Sequence, residues 1–504
     1  MPLPKNKPSI TVIRWAIFSI IALFAFAVRV PQLGERPMHT DEAVNAYITG
    51  ELLAGGSFHY SPQDGHGPAL FALAEPVTRL LGAKNFSELT ETELRFTPVL
   101  IGSAAVLLFG TGVELFGFTA CLIAALLFAF APLSVYYSRY FIHETLFVAA
   151  TFGLMVSGGR TLKSCSLWSA ALAGLCAALM LACKETAVIH FFALAVVAAG
   201  YWWWHGRTVR AGWLKAGGIA LVVFVVTTVL LFSWFGQHWS GLSDLFRAVP
   251  RFAARAGGEG HAKPFSYYFG LLDPMFIWSI LAAAGIYAAI FDAVTGVRKA
   301  GVLLAIYGTV VFLIYSFIPY KTPWLALNLW LPLALLCGFG TTALWEQMKT
   351  PAWRWGAVVA GGLLLMTLAT QTQTLVFDKP VDERNPYAYA HTGEDLLRLP
   401  VRLEELAGKI PNPRIAVVAA DAWPLPWYLR KFSQAGFWQP GQAPGAADFF
   451  VTTTDVPDDL TERLKGFRPE FFGVRPNVLL ILWVPSSAYP ATETSPPPAA
   501  TRMP

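Results

Sequence analysis

Ala216-Gly-Gly-Ile-Ala-Leu-Val-Val-Phe-Val-Val-Thr-Thr-Val-Leu-Leu-Phe-Ser-Trp-Phe-Gly236 runs its whole length without a charged side chain. A helix rises about 1.5 Å per residue, so a run of this length spans the roughly 30 Å hydrocarbon core of a bilayer. Similar runs recur in both directions. Those at 301–319 and 355–372 are also uncharged, and 15–33, 96–113, 118–133, 141–157, 167–183, 186–204, 271–291 and 323–345 bring the expected spans to eleven. With 55% hydrophobic and 14% charged residues among 504, the composition excludes a soluble globular chain. The expected class is a polytopic α-helical membrane protein.

Positive charge is retained in cytoplasmic loops, so the flanking Lys and Arg set the orientation. With the N-terminus cytoplasmic, the inner segments collect Lys5, Lys7, Arg14, Arg160, Lys163, Arg207, Arg210, Lys215, Arg298, Lys299, Lys349 and Arg354, opposed only by Glu114, Asp292 and Glu346. Eleven spans then place the C-terminal segment outside, in the cytoplasmic membrane of a bacterium or archaeon. Ala25-Phe26-Ala27 has the look of a signal-peptidase site, but the apolar run continues to Val30, so the first span is expected to stay uncleaved. The net charge of +5 comes mostly from the inner loops and points to anionic lipid as partner, with no nucleic-acid motif anywhere. Cys121, Cys165, Cys176, Cys183 and Cys337 fall in or beside apolar runs, without metal-ligand spacing or a disulfide framework.

The chain divides into a transmembrane domain at 1–372, a small soluble α/β domain at 373–485 and a disordered tail at 486–504, rich in Pro, Ala, Ser and Thr. An external loop at 34–95 is expected to hold two amphipathic helices, near Glu42 to Leu53 and Pro68 to Leu81, and a second external loop covers 237–270. In the α/β domain, Ile415–Ala419, Phe449–Thr453 and Val478–Trp483 are apolar runs of strand length.

Chemistry concentrates where the charge rule is broken. Asp41 and Glu42 follow the first span in Met38-His-Thr-Asp-Glu-Ala43, and three tight external turns each carry a cation: Arg139, Lys184 and Lys321. Ionisable groups at span ends are costly unless paired or used. Arg139, Lys184 and Lys321 would suit a phosphate at the membrane surface. The bland alternative pairs Arg139 with Glu144 and Lys184 with Glu185 as salt bridges. Asp41 likewise reads either as a base or, with Thr40, as the cap and first turn of a surface helix. His39, His59, His66 and His143 also lie on the external side; a divalent cation is conceivable there, but their spacing does not indicate one, and no metal or cofactor is expected.

Asp41-Glu-Ala43, His66-Gly-Pro68, Ser138-Arg-Tyr140 with His143-Glu144, Lys184-Glu185, Tyr320-Lys-Thr-Pro-Trp324 and Asp382-Glu-Arg-Asn-Pro-Tyr-Ala-Tyr-Ala-His-Thr392 carry a family resemblance over residues 15 to about 430. Together they resemble the C-superfamily of integral-membrane glycosyltransferases, in the branch of protein O-mannosyltransferases and aminoarabinose transferases, and more closely the members called flippase-associated proteins. The resemblance implies an inverting enzyme that takes a sugar from a polyprenyl-phosphate carrier. It matches Asp41 to the first-loop acid that serves as base, Glu42 to its companion, and the basic turns to the carrier phosphate. The substrate-binding set so expected is His39, His66, Arg139, His143, Glu144, Lys184, Glu185, Tyr320 and Lys321. No Asp-x-Asp stands in the first loop, so metal dependence of the oligosaccharyltransferase kind is not implied. The acceptor, a glycan, lipid or protein, stays open.

The residues alone support the same mechanism: an acceptor hydroxyl needs a carboxylate to take its proton, and cations stabilise the departing phosphate. The competing class is a lipid-linked saccharide flippase or its non-catalytic partner. A transporter should carry charge near the midplane, which the three uncharged runs lack.

Overall fold

The computed structural model describes residues 10–489, apart from 63, 64, 205, 208, 209, 259, 273–276, 296–298, 409 and 457. Lys5, Lys7, Arg298, the stretch 273–276 of one expected span, and residues 490–504 of the expected tail lie outside the described residues. Two compact units emerge. One joins the described residues up to Gly34 with Ile48–Tyr389, and the other joins Glu35–Tyr47 with the described residues from Ala390 onward.

The longer helices, in chain order, are α1 (Ile10–Arg29), α2 (Thr40–Leu53), α3 (Ala69–Leu81), α4 (Glu91–Leu108), α5 (Phe118–Phe130), α6 (Glu144–Ser164) and α7 (Leu167–Cys183). They continue as α8 (Ala187–Trp204), α9 (Ala211–Phe232), α10 (Ser240–Arg255), α11 (Ile277–Thr295), α12 (Lys299–Phe317), α13 (Ala326–Gln347) and α14 (Pro351–Thr372). Among the described residues, eight are long and apolar enough to cross a membrane: α1, α4, α6, α8, α9, α12, α13 and α14. The remaining expected spans appear as shorter apolar helices, Phe118–Phe130, Leu167–Cys183 and Ile277–Ala288. Of the eleven expected spans, eight are therefore long and apolar enough among the described residues, and three are shorter there.

Local chemistry marks the helix ends. Thr90 and Glu93 form a capping box at the start of α4, and Ser166 and Thr350 cap α7 and α14 through backbone N–H groups three residues on. Gly82 ends α3 in the left-handed region at φ 112°. Helix α13 is the most buried span and packs against α5, α11 and α12. Gly338 lies against Ala120, and Gly340 against Leu281 and Gly285, so that a Cβ at either position would strike a neighbouring backbone. Small residues allow helices to approach closely where lipid offers no hydrophobic drive to association.

The second unit contains a five-stranded sheet: β1 (Ile415–Val418), β2 (Ala435–Trp438), β3 (Phe449–Thr453), β4 (Phe467–Arg475) and β5 (Val478–Pro485), in spatial order β2-β1-β3-β5-β4. β1 is parallel to β2 and β3, while β5 is antiparallel to β3 and β4. The tail boundary moves: Ser486–Ala488 forms a turn, and the Tyr489 hydroxyl donates to Glu470 Oε1 at 2.6 Å. Glu470 also accepts from Arg402 at 2.8 and 3.0 Å. Helix α2 departs from a simple amphipathic pattern, since Glu42, Asn45 and Thr49, spaced along one face, are all buried. None of the five cysteines is joined in a disulfide.

Candidate active site

In the membrane unit, the end of α7 and the start of α6 bring five of the expected residues together. Lys184 and Glu144 form a buried ion pair, with side chains 7% and 2% exposed. This corrects the alternative that paired Lys184 with Glu185. Glu185 instead accepts from the Tyr60 hydroxyl at 2.5 Å and from His66 Nδ1 at 3.2 Å. Burial alone would push the Glu185 carboxyl up, but hydrogen bonds from His66 and Tyr60 outweigh it and hold it below the usual carboxylate range. The same contact, with burial, pushes the Tyr60 phenol up.

Gly67 has its N–H on the Cys183 carbonyl at 3.3 Å, and its own carbonyl faces His143 Nε2 at 3.0 Å. A Cβ at Gly67 would fall on the Ala182 carbonyl, so this close approach requires glycine. A carbonyl only accepts, so His143 carries its proton on Nε2. Burial, then His66 and Lys184, push the His143 ring well below the usual imidazole range, which keeps it neutral. His66 and His143 stand ring to ring at 5.5 Å.

Arg139 does something else. Its guanidinium donates to the carbonyls of Arg29 at 2.6 Å, Gln32 at 3.1 Å and also Pro31, and lies 4.5 Å over the Phe377 ring. It therefore caps the C-terminal end of α1, satisfying carbonyls that the helix leaves over. Arg29 itself is buried and donates to Ser138 Oγ at 2.6 Å and to the Phe128 and Ala129 carbonyls.

Lys321 sits in the turn between α12 and α13, buried, with its ammonium donating to the Ile318 carbonyl at 2.5 Å and the Lys263 carbonyl at 3.2 Å. Ammonium has three donors, so one is left without a hydrogen-bond partner among the described residues. Burial holds the amine below the usual lysine range. The turn is pinned by a bridge between Ala262 and Tyr320. Around it, His261 bonds the Tyr389 hydroxyl at 2.8 Å and stacks edge-on against Tyr320 at 4.9 Å, while Trp324 lies 6.1 Å from Tyr389. Sequence reading did not single out His261, Lys263 or Tyr389 as site residues. They lie far from Lys321 along the chain, and no motif marks the first two.

Asp41, Glu42 and His39 belong to the other unit. Glu42 is buried, pairs with Arg36 at 3.1 Å and accepts from the His39 N–H at 3.3 Å. Asp41 occupies the first turn of α2 with an exposed side chain, and its N–H donates to His39 Nδ1 at 3.0 Å. The C-terminal part of the unit fixes this segment: the Tyr428 hydroxyl accepts from the Met38 N–H at 2.8 Å, Thr392 Oγ1 donates to the Met38 carbonyl at 2.7 Å, and the His39 and His391 rings meet at 5.2 Å. Tyr428→Phe removes the hydroxyl that accepts from the Met38 N–H, at a cost of about 1–3 kcal/mol. Hydrogen–deuterium exchange at residues 38–43 is expected to speed up at least about tenfold in that variant; unchanged exchange would dismiss the restraint.

A family model described as dolichyl-phosphate-mannose-protein mannosyltransferase matches residues 66–232. The crystal structure of ArnT from Cupriavidus metallidurans bound to undecaprenyl phosphate shares 15% identity over 94% of this chain and 99% of that one, with a TM-score of 0.64. The chain shares its fold with that protein. The archaeal oligosaccharyltransferase AglB from Archaeoglobus fulgidus, in complex with an inhibitory peptide and a dolichol-phosphate, shows the same fold at 14% identity and TM-score 0.58, covering 95% of this chain and 76% of that one. No curated protein matches the chain by sequence. The Lys184–Glu144 and Glu185–His66 clusters and the Lys321 turn belong to the first unit, and Asp41 to the second.

Proposed function

We propose that this protein is an inverting glycosyltransferase, moving a sugar from a polyprenyl-phosphate donor to an acceptor hydroxyl on the extracytoplasmic side of the membrane. The observation that carries the reading is the likeness, over 94% of the chain, to a protein crystallised with undecaprenyl phosphate. Asp41 is the base: its exposed carboxylate takes the acceptor proton as the acceptor oxygen bonds to the anomeric carbon. The bond from that carbon to the phosphate oxygen breaks on the opposite face, and the electron pair leaves with polyprenyl phosphate. Glu42 holds the Asp41 segment through Arg36 and His39.

Lys321 is the cation best disposed toward the carrier phosphate, since Arg139 is committed to carbonyls and Lys184 to Glu144. Its remaining donor is available to a phosphate oxygen, where a charged hydrogen bond contributes about 1.5–3 kcal/mol. Lys321→Gln is expected to raise the donor KM by roughly ten- to a hundredfold. Burial favours the neutral amine, so Lys321 loses its proton sooner than a solvated lysine as pH rises, and donor KM climbs on the alkaline side. Lys321→Arg is expected to move that climb upward, because guanidinium stays charged. A donor KM profile that ignores both substitutions removes Lys321 from the phosphate site.

His66, Glu185, His143 and Tyr320 offer donors and acceptors for sugar hydroxyls in this reading. The deciding experiment is transfer of radiolabel from a polyprenyl-phosphate sugar pool by the purified full chain in liposomes. Movement of the labelled lipid across the bilayer without any transfer would overturn the reading.

A further inference from the structure

Helix α6 carries His143 and Glu144 at its start, and its other end borders a separate cavity of about 1140 Å³. At about 1.5 Å per residue, the part of α6 that lines the cavity, from Leu154 to Lys163, begins about 15 Å and ends about 29 Å along the helix from Glu144. It is larger than the roughly 300–1,000 Å³ of a usual small-molecule pocket. Apolar side chains from several spans, Met155, Phe191, Leu194 and Leu303 among them, make most of the wall. Tyr307 also lines it, and its hydroxyl is taken up by His190 Nδ1 at 2.6 Å.

The polar part of the wall includes two cations. Lys163, in the last turn of α6, and Arg210, just before α9, both line the cavity, and the Arg210 guanidinium donates to the Lys163 carbonyl at 2.9 Å. No ion pair with a carboxylate engages either of them among the described residues. Two like charges at one apolar cavity are best satisfied by an anion with a long hydrocarbon body. Basic pockets between membrane helices hold anionic lipid head groups by this logic. We infer that this cavity is a binding site for one anionic phospholipid of the surrounding bilayer, its head group on Lys163 and Arg210 and an acyl chain between α6, α8 and α12. The site stands apart from the proposed transfer chemistry, and its test needs no transfer activity.

Gly158 lines the cavity, and a Cβ built on it meets nothing within 4 Å, so a large side chain there enters open space. The test is native mass spectrometry of the purified full chain with phosphatidylglycerol or phosphatidylcholine of matched acyl chains. The expected result is one retained phosphatidylglycerol, favoured at least tenfold over phosphatidylcholine. K163E/R210E should abolish the preference, the milder K163Q/R210Q should reduce it, and G158W should block retention with both cations in place. Unfolding midpoints of the lipid-free variants confirm that each is folded. Equal retention of the two lipids by the unsubstituted chain overturns the assignment. So does undiminished retention by folded G158W, or displacement of phosphatidylglycerol by substoichiometric polyprenyl phosphate, which would give the cavity to the carrier.

Discussion

Asp41→Asn is expected to reduce sugar transfer by roughly 10²- to 10⁴-fold, the usual contribution of a positioned general base, while leaving the fold intact. The side chain is exposed, and the bond that positions the residue is its backbone N–H on His39 Nδ1, which asparagine keeps. An amide cannot take the acceptor proton, so the loss should fall on kcat more than on donor KM. Glu42→Gln gives the informative contrast: Glu42 is buried on Arg36, and weakening that pair should lower stability as well as rate. Transfer from a radiolabelled polyprenyl-phosphate sugar, with unfolding midpoints alongside, separates the two cases. Normal turnover by a well-folded Asp41→Asn protein would sink the proposed base.

The largest expected loss of stability comes from Glu144→Leu. Glu144 and Lys184 are almost wholly buried, and removing one partner takes from the other charge the ion pair that offsets its burial. The expected cost is about 3–5 kcal/mol, read as a lower unfolding midpoint in detergent or lipid. Lys184→Met should cost a similar amount. The double substitution should recover much of the loss, because it removes both charges together and leaves apolar side chains of comparable size. A double variant as unstable as the sum of the singles would show that the two side chains are not coupled.

What could be read from the sequence differed between backbone pattern and side-chain partner. The apolar runs at 415–419, 449–453 and 478–483 became β1, β3 and β5, which are the three inner strands. Inner strands covered on both sides read as continuous apolar runs. The edges escaped that signal. β4 is a nine-residue strand in which Arg468, Pro469 and Glu470 interrupt the apolar residues, and Pro469 is tolerated because an edge strand has a side without ladder partners. Helices α2 and α3 stand where two helices are expected, with Gly55-Gly56 and Gly65-to-Pro68 outside them.

The candidate residues were found by type, but their partners were not. Lys184 and Glu185 are adjacent, yet one turns to Glu144 and the other to Tyr60 and His66. Arg139 has the composition of a phosphate ligand and the geometry of a helix cap. Asp41 and Glu42 stand side by side, one exposed and one buried.

By itself, the sequence determined that this is a multi-span membrane protein with a small α/β unit, and which loops carry the unusual charges. These follow from hydrocarbon thickness and residue periodicity, which act locally along the chain. Only the tertiary structure decided that Arg139 is spent on carbonyls, that Lys321 keeps a spare donor, and that Tyr428 and Thr392 hold the Asp41 segment. Hydrogen bonds and ion pairs form between groups up to 390 positions apart, and local periodicity says nothing about the packing that brings such groups together.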